Sequence, residues 1–176
     1  MCMTKERLSP SIWIEAGLDQ LSKLGPTALR AEPLSRSLKI SKGSFYWHFK
    51  DVPAFQAAVL NAWKDQTLAI LYEDAGKSGS STDLLIRFGQ SIQEDTVGPA
   101  IRAWAQVAPS VAEILAEVDE ARIARLRTLM DRIGLRNDDF CKAAFGSLIG
   151  LQQTHLDDGD ALVAYAALID VILAST

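Results

Sequence analysis

The stretch Leu38-Lys39-Ile40-Ser41-Lys42-Gly43-Ser44-Phe45-Tyr46-Trp47-His48-Phe49-Lys50 decides the reading of this 176-residue chain. Phe45 and Phe49 stand one helical turn apart and share a face, as do Leu34 and Leu38 just upstream. Ser41 suits an N-cap, so the spacing predicts a short helix over Lys42–His48. Ala31–Leu38 predicts another, with Pro33 in its first turn, where a missing N–H costs little. Only Lys39 to Ser41 separate the two. Leu34, Leu38, Ile40, Phe45 and Phe49 are spaced to face inward. Two short helices joined by so tight a turn form a helix-turn-helix, whose second helix enters the major groove of DNA. Left outward on that helix are Lys42, Gly43, Ser44, Tyr46, Trp47 and His48, followed by Lys50. Lys, Ser and Tyr bond phosphates or base edges, and Gly allows close backbone approach. The helix start adds free N–H groups and a positive dipole end.

The surrounding sequence is helical throughout. Ser9–Leu24 reads as a helix with Leu8, Ile12 and Ala16 on one stripe and Ile14, Leu18 and Leu21 beside it. Gly25-Pro26 stops it. Asp51 caps a fourth helix, with Pro53 near its start, running to about Glu73. Gly76 to Ser81 has linker composition. Thr82 or Asp83 caps a helix reaching Asp95, and Gly98-Pro99 breaks the chain again. Ile101–Ile133 is helical by pattern, with an interruption expected at Pro109. Arg136-Asn137-Asp138 is a turn and cap. Asp139–His155 and Asp160–Ala174 are two apolar helices. The expected fold class is all-α: a three-helix DNA-binding unit over residues 1–51 and a helical body over 52–176.

Composition narrows the function. Hydrophobic residues are 48% of the chain and charged residues 23%, ordinary values for a folded domain. No apolar run approaches a membrane span, and Met1 to Arg7 lacks a signal-peptide layout, so a cytoplasmic protein without a membrane partner is expected. Two cysteines exclude a disulfide framework and a cysteine-rich zinc site. Cys141 reads as a buried apolar residue and Cys2 as part of a tail. His155, Asp157, Asp158 and Asp160 lack the full calcium-loop pattern and read as a polar turn and cap, so no metal or cofactor is expected. No nucleotide-binding glycine loop, Gly-x-Ser-x-Gly elbow or His-Glu-x-x-His is present, and the chain is not expected to be an enzyme. The net charge of −4 hides an asymmetry: residues 1–50 hold eight basic and four acidic side chains, so they carry +4 and the rest −8. A basic unit on an acidic body suits contact with a polyanion.

Ile12–Phe55 resembles the DNA-binding domain of the tetracycline-repressor (TetR) family of bacterial transcription regulators. The likeness rests on Ala16-Gly17-Leu18, Gly25, Leu29 and Leu34, and above all on the run from Leu38 to Lys50. It implies a homodimer on a palindromic operator of double-stranded DNA, most often a repressor, released when a small-molecule effector binds the C-terminal body. By position, Lys42, Gly43, Ser44 and Trp47 would face base edges or nearby phosphates. Tyr46, His48 and Lys50 would grip the backbone. Arg30 and Ala31 sit where the second helix starts on a phosphate, with Thr27 just before. Four positions depart from the family pattern. Arg30 stands in place of a capping Ser or Thr. Pro33 replaces a polar residue, Lys39 the turn glycine and Val52 a basic residue. A left-handed non-glycine residue at 39 would cost about 1–2 kcal/mol.

In the body, Phe88, Ile92, Trp104, Val107 and Leu115 suggest an apolar effector pocket with Trp104 as a wall and Trp63 below it, near the hinge. A helix hydrophobic nearly all round is buried on two sides. For the last two helices the second side is expected to be a partner subunit, through Ala144, Ser147, Leu148, Leu151, Ala164, Ala167, Leu168 and Val171, in an isologous four-helix interface. The alternative is a regulator without a small-molecule ligand, controlled by a partner protein. A cavity near Trp104 and Phe88 favours the former and a filled core the latter.

Overall fold

The computed structural model describes residues 9–75, 78–154 and 158–174. Leu8, Cys2, the start of the Gly/Ser stretch, and His155 and Asp157 lie outside them. The described residues form nine α-helices, one 3-10 turn and no strand. In order these are α1 Pro10–Leu24, the turn Pro26–Ala28, α2 Ala31–Leu38, α3 Lys42–His48, α4 Val52–Ala75, α5 Ser81–Gln93, α6 Gly98–Ala105, α7 Pro109–Asp131, α8 Asp138–Gln153 and α9 Asp158–Ala174.

Local chemistry sets most of these ends. Gly25, at φ +74°, ends α1 and its N–H donates to the Leu21 carbonyl. The buried stripe of α1 is Trp13, Gly17 and Leu21 with Leu18, while Ile12, Ile14 and Ala16 are half-buried flanks. The stripe expected from Leu8, Ile12 and Ala16 is therefore rotated by one position, because Trp13 is the larger apolar group and takes the core. Gly17 sits under α4: a Cβ there would meet Phe55 and Val59 side-chain atoms at 2.8 Å. Asp51 caps α4 through its carboxylate, which accepts from the Ala54 N–H at 2.8 Å. Ser80 caps α5 and Asn137 caps α8. The long helical pattern after Gly98 divides at Pro109 into α6 and α7.

Two apolar cores result. The first gathers Trp13, Leu21, Leu29, Leu34, Phe45, Phe49, Phe55 and Val59, joined by Trp63 and by Ile101, Val111 and Val118 from α6 and α7. The second gathers Leu71, Leu85, Phe88, Ile92, Leu126, Met130, Phe145, Leu148, Tyr165 and Ile169. Helix α4 runs through both. The helix-turn-helix unit thus has no private core; the body closes it from below. In the second core α5 and α9 touch at Gly89, where a Cβ would lie 2.5 Å from the Tyr165 ring.

The turn between α2 and α3 carries a cost. Lys39 is left-handed at φ 57°, ψ 38°, the one non-glycine residue with positive φ among those described. It enables the Ile40 N–H to reach the Ser35 carbonyl at 3.0 Å, the bond of a Schellman ending. Glycine enters this region without a Cβ penalty. Lys39→Gly is expected to raise stability by about 0.5–1 kcal/mol, the left-handed cost less the extra chain entropy of glycine; urea unfolding at constant m-value measures it.

Candidate nucleic-acid interface

A seven-residue helix such as α3 cannot hold itself in water. Phe45 holds it. Its fully buried ring makes contacts with Trp13, Phe49 and Phe55 at centroid distances of 5.3, 5.3 and 5.1 Å, and Phe49 meets Phe55 at 4.9 Å. Three of these pairs are edge-to-face and Phe45–Phe49 is tilted; edge-to-face pairs at such distances add about 0.5–1.5 kcal/mol each beyond area burial. With that face anchored, the opposite face is presented to solvent. Trp47 is 87% exposed and Tyr46 50%, although each is a large ring. Lys42, Gly43 and Lys50 are exposed, and Ser44 and His48 half-exposed. A Cβ on Gly43 would meet nothing closer than Ser41 Oγ at 4.0 Å, so the backbone there is open to close approach.

The start of α2 adds to this face. Arg30 and Thr27 are exposed, whereas the Ala31 side chain is buried, leaving only its backbone for a phosphate. Arg30 occupies the N-cap with no side-chain acceptor, and Ser41, though in cap position, makes no side-chain cap bond either. Lys23 and Arg36 pair with Asp19 and Glu32 on their own helices. Arg30, Lys39, Lys42 and Lys50 are engaged by no ion pair among the described residues, so four cations are available to a polyanion.

The body is organised differently from the sequence expectation. Phe88 and Ile92 are buried in the second core, Trp104 and Leu115 pack half-buried against the first, and Val107 is 81% exposed at the α6–α7 turn. These five do not converge, and Trp104 packs against the first core. Helix α6 turns Trp104 toward the helix-turn-helix core instead. Of the expected set only Trp63 lines the observed cavity. That cavity, of about 240 Å³, lies between α4, the end of α5 and α7. Trp63, Leu71 and Arg122 are its buried residues, and Gln66, Ile70, Glu94 and Thr96 are exposed beside it.

At its edge stands Asp95. Both carboxylate oxygens lie 3.1 Å from Trp63 Nε1, Oδ1 accepts from the Gly98 N–H at 2.8 Å, and Oδ2 accepts from Arg122 Nη2 at 2.8 Å. Gln152 Nε2 donates to the Ile92 and Asp95 carbonyls, and Gln93 Nε2 to the Leu148 carbonyl, tying this end of α5 to α8. A second pair, Arg102 with Asp119, is bidentate at 2.7 and 2.6 Å and joins α6 to α7. No group of three or more metal-ligating side chains occurs among the described residues.

The outer face of α8 and α9 is made of small and apolar residues. Ala143, Gly146, Ser147 and Gly150 follow helical spacing on α8, as do Val163, Ala164, Ala167 and Val171 on α9, and all are exposed. A Cβ at Gly146 or Gly150 would meet nothing within 4 Å. Of the expected interface residues, Ser147, Ala164, Ala167 and Val171 lie on this face and Leu151 and Leu168 at its half-buried margin. Ala144 and Leu148 point the other way, into the second core, where the chain's own helices cover them. Cys141 is buried beside them, and burial pushes its thiol pKa up, away from reactivity.

No protein-family model matches the sequence, and no curated protein matches it. Solved structures do. A protein from Rhodococcus sp. described as a TetR-family transcriptional regulator superposes with a TM-score of 0.77 at 20% identity, over 96% of this chain and 100% of that one. A transcriptional regulator of the same broad group from Aquifex aeolicus gives 0.74 at 15% identity, over 93% and 98%. A third, from Mesorhizobium loti and described as TetR-family, gives 0.68 at 14%, over 98% of each chain. The fold is that of TetR-family regulators. The likeness extends through the C-terminal helices as well as the helix-turn-helix segment. No helix among the described residues is long and apolar enough to cross a membrane.

Sequence reasoning missed Asp95 and Arg122. A signal existed: Arg122 interrupts the apolar stripe Val118–Leu126 of α7 at four-residue spacing, where a charge requires a partner. Arg122→Ala leaves Asp95 buried without its cation and is expected to destabilise the fold by about 3–5 kcal/mol. In urea unfolding, Asp95→Asn combined with Arg122→Met should lose less than the sum of the single changes.

Proposed function

We propose that this chain is a sequence-specific DNA-binding transcriptional regulator of the TetR family, acting as a homodimeric repressor. Residues 1–51 contact operator DNA and residues 52–176 sense and dimerise. The observation that carries this reading is the outward array on α3. Lys42, Tyr46, Trp47 and Lys50 are exposed together on a helix whose other face is locked by Phe45. Leaving a tryptophan 87% exposed wastes apolar burial unless a partner covers it. The four free cations and the +4 charge of this end give that partner as a polyanion. In this reading Lys42, Gly43, Ser44 and Trp47 meet base edges, while Thr27, Arg30, the Ala31 backbone, Tyr46, His48 and Lys50 hold phosphates.

The exposed stripes of α8 and α9 support the homodimer. Two such faces stacked about a two-fold axis give a four-helix interface in which the glycines and alanines allow close approach. Around Trp104 and Phe88 the core is packed, which by itself favours the alternative of control by a partner protein; the half-open cavity beside Trp63 is the feature that supports control by a small molecule. Induction then requires the ligand to bind the DNA-incompetent state more tightly.

A gel shift with DNA flanking the gene, run at two salt concentrations, tests the reading. A specific shift that weakens steeply with salt is expected. Lys42→Ala and Tyr46→Ala should each weaken binding about ten-fold or more with the dimer intact, and the lysine change should also reduce the salt slope by about one. Unchanged affinity in both variants removes α3 as the reading element. Ala167→Glu places a charge in the proposed dimer seam and should give a folded monomer by analytical ultracentrifugation; a persistent dimer would move the interface elsewhere.

A further inference from the structure

The cavity between α4, α5 and α7 has a definite chemistry. Arg122 is 4% exposed and lines it. A guanidinium has five N–H donors, and among the described residues one hydrogen bond engages this one, to Asp95 Oδ2. Asp95 is saturated by comparison: its two oxygens share the Trp63 N–H and accept from Gly98 and Arg122. The unspent hydrogen-bonding capacity of the buried residues is therefore donor capacity. Ile70, Leu71 and Val97 supply apolar wall.

Charge then selects among acceptors. A ligand carboxylate on the remaining edge of Arg122 would sit beside Asp95, with Glu94 at the margin, and like charges at that range repel. An ammonium would meet the buried guanidinium and find the Asp95 lone pairs taken, with only the exposed Glu94 at the margin to attract it. A neutral carbonyl oxygen gains a charge-assisted bond and meets neither obstacle. The volume of about 240 Å³ is below the roughly 300–1,000 Å³ of a drug-sized site, so the body of the ligand is small.

We propose that this cavity binds a small uncharged carbonyl compound with an apolar body, its oxygen accepting from Arg122. The inference rests on the ligand-controlled reading above and names the chemistry of its site. It also gives the occupant a route outward. Asp95 holds Arg122 and, through the Gly98 N–H, the first turn of α6, which packs on α1 and on the 3-10 turn of the helix-turn-helix unit. A ligand that draws Arg122 away loosens the start of α6.

The test uses the full chain and four probes of similar size: acetophenone, benzoate, benzylammonium and ethylbenzene. The readout is the indole N–H resonance of Trp63, assigned by its loss in Trp63→Phe. Acetophenone should move it saturably, and each of the other three should bind at least about ten-fold more weakly, the factor a hydrogen bond to a charged group supplies. Thr67→Phe fills the cavity from α4 while leaving the Asp95 and Arg122 side chains in place, and should abolish the shift. Benzoate or ethylbenzene binding as tightly as acetophenone overturns the ligand class. No shift with any probe, or undiminished binding to Thr67→Phe, overturns the site. A gel shift on the same preparation separates the two levels: DNA binding without cavity binding leaves the regulator and removes this proposal, whereas cavity binding without DNA binding does the reverse.

Discussion

The carboxylate of Asp95 is the point on which the body depends. It brings together Trp63 of α4, the first turn of α6 and Arg122 of α7, and its own backbone carbonyl is held by Gln152 of α8. Taking a carboxylate and a guanidinium out of water is expensive, and a buried pair recovers that expense only when its remaining hydrogen-bonding positions are filled. Here the positions on the acid are filled. What the node provides over an apolar plug is direction: hydrogen bonds fix the angles at which the helices meet, whereas apolar contact fixes only their distance.

Helix α4 converts that fixed geometry into a link between the two ends of the molecule. Its 24 residues span about 36 Å at 1.5 Å per residue. Phe55 and Val59 sit in the core that holds α3, Trp63 binds the node, and Leu71 belongs to the second core. One element thus shares the core of α3 at one end and lines the cavity at the other. Helix α7 also enters both cores, through Val111 and Val118 in the first and Leu126 and Met130 in the second, so two helices tied by the Asp95–Arg122 pair link the cavity to the core around Phe45.

The bounds of α2 and α3 were legible to the residue. Ala31–Leu38 and Lys42–His48 follow from local rules alone: a proline in a first turn, a serine before a helix, aromatic residues one turn apart. The left-handed strain at Lys39 was legible too, as a turn glycine replaced. The cavity in the body was not. Helical periodicity says that Phe88, Ile92, Trp104, Val107 and Leu115 face inward; the first two are buried and Trp104 and Leu115 half-buried, but Val107 is 81% exposed at the α6–α7 turn. It cannot say which inward faces meet with a gap between them. The cavity is defined by Trp63 against Asp95, 32 residues apart, and by Asp95 against Arg122, 27 apart. Such pairings depend on crossing angles set by the whole helix array. The same limit explains Ala144 and Leu148: α8 is apolar on both sides, and composition does not say which side the chain itself covers.

The departures from the family pattern acquire a physical meaning once the cores are seen. Arg30 offers no cap to α2, and Lys39 is strained, so the helix-turn-helix unit is locally weak at both ends of α2. It is held nonetheless, because its core is shared with α4, α6 and α7 through Trp63, Ile101, Val111 and Val118. Stability that local sequence does not supply is drawn from tertiary contact with the body. A helix-turn-helix unit that depends on the body for its packing is also one the body can disturb, since loosening α6 removes part of the surface on which α1 rests. Weak local capping and shared packing are then two aspects of one arrangement, in which the helix-turn-helix unit is kept in order by the body.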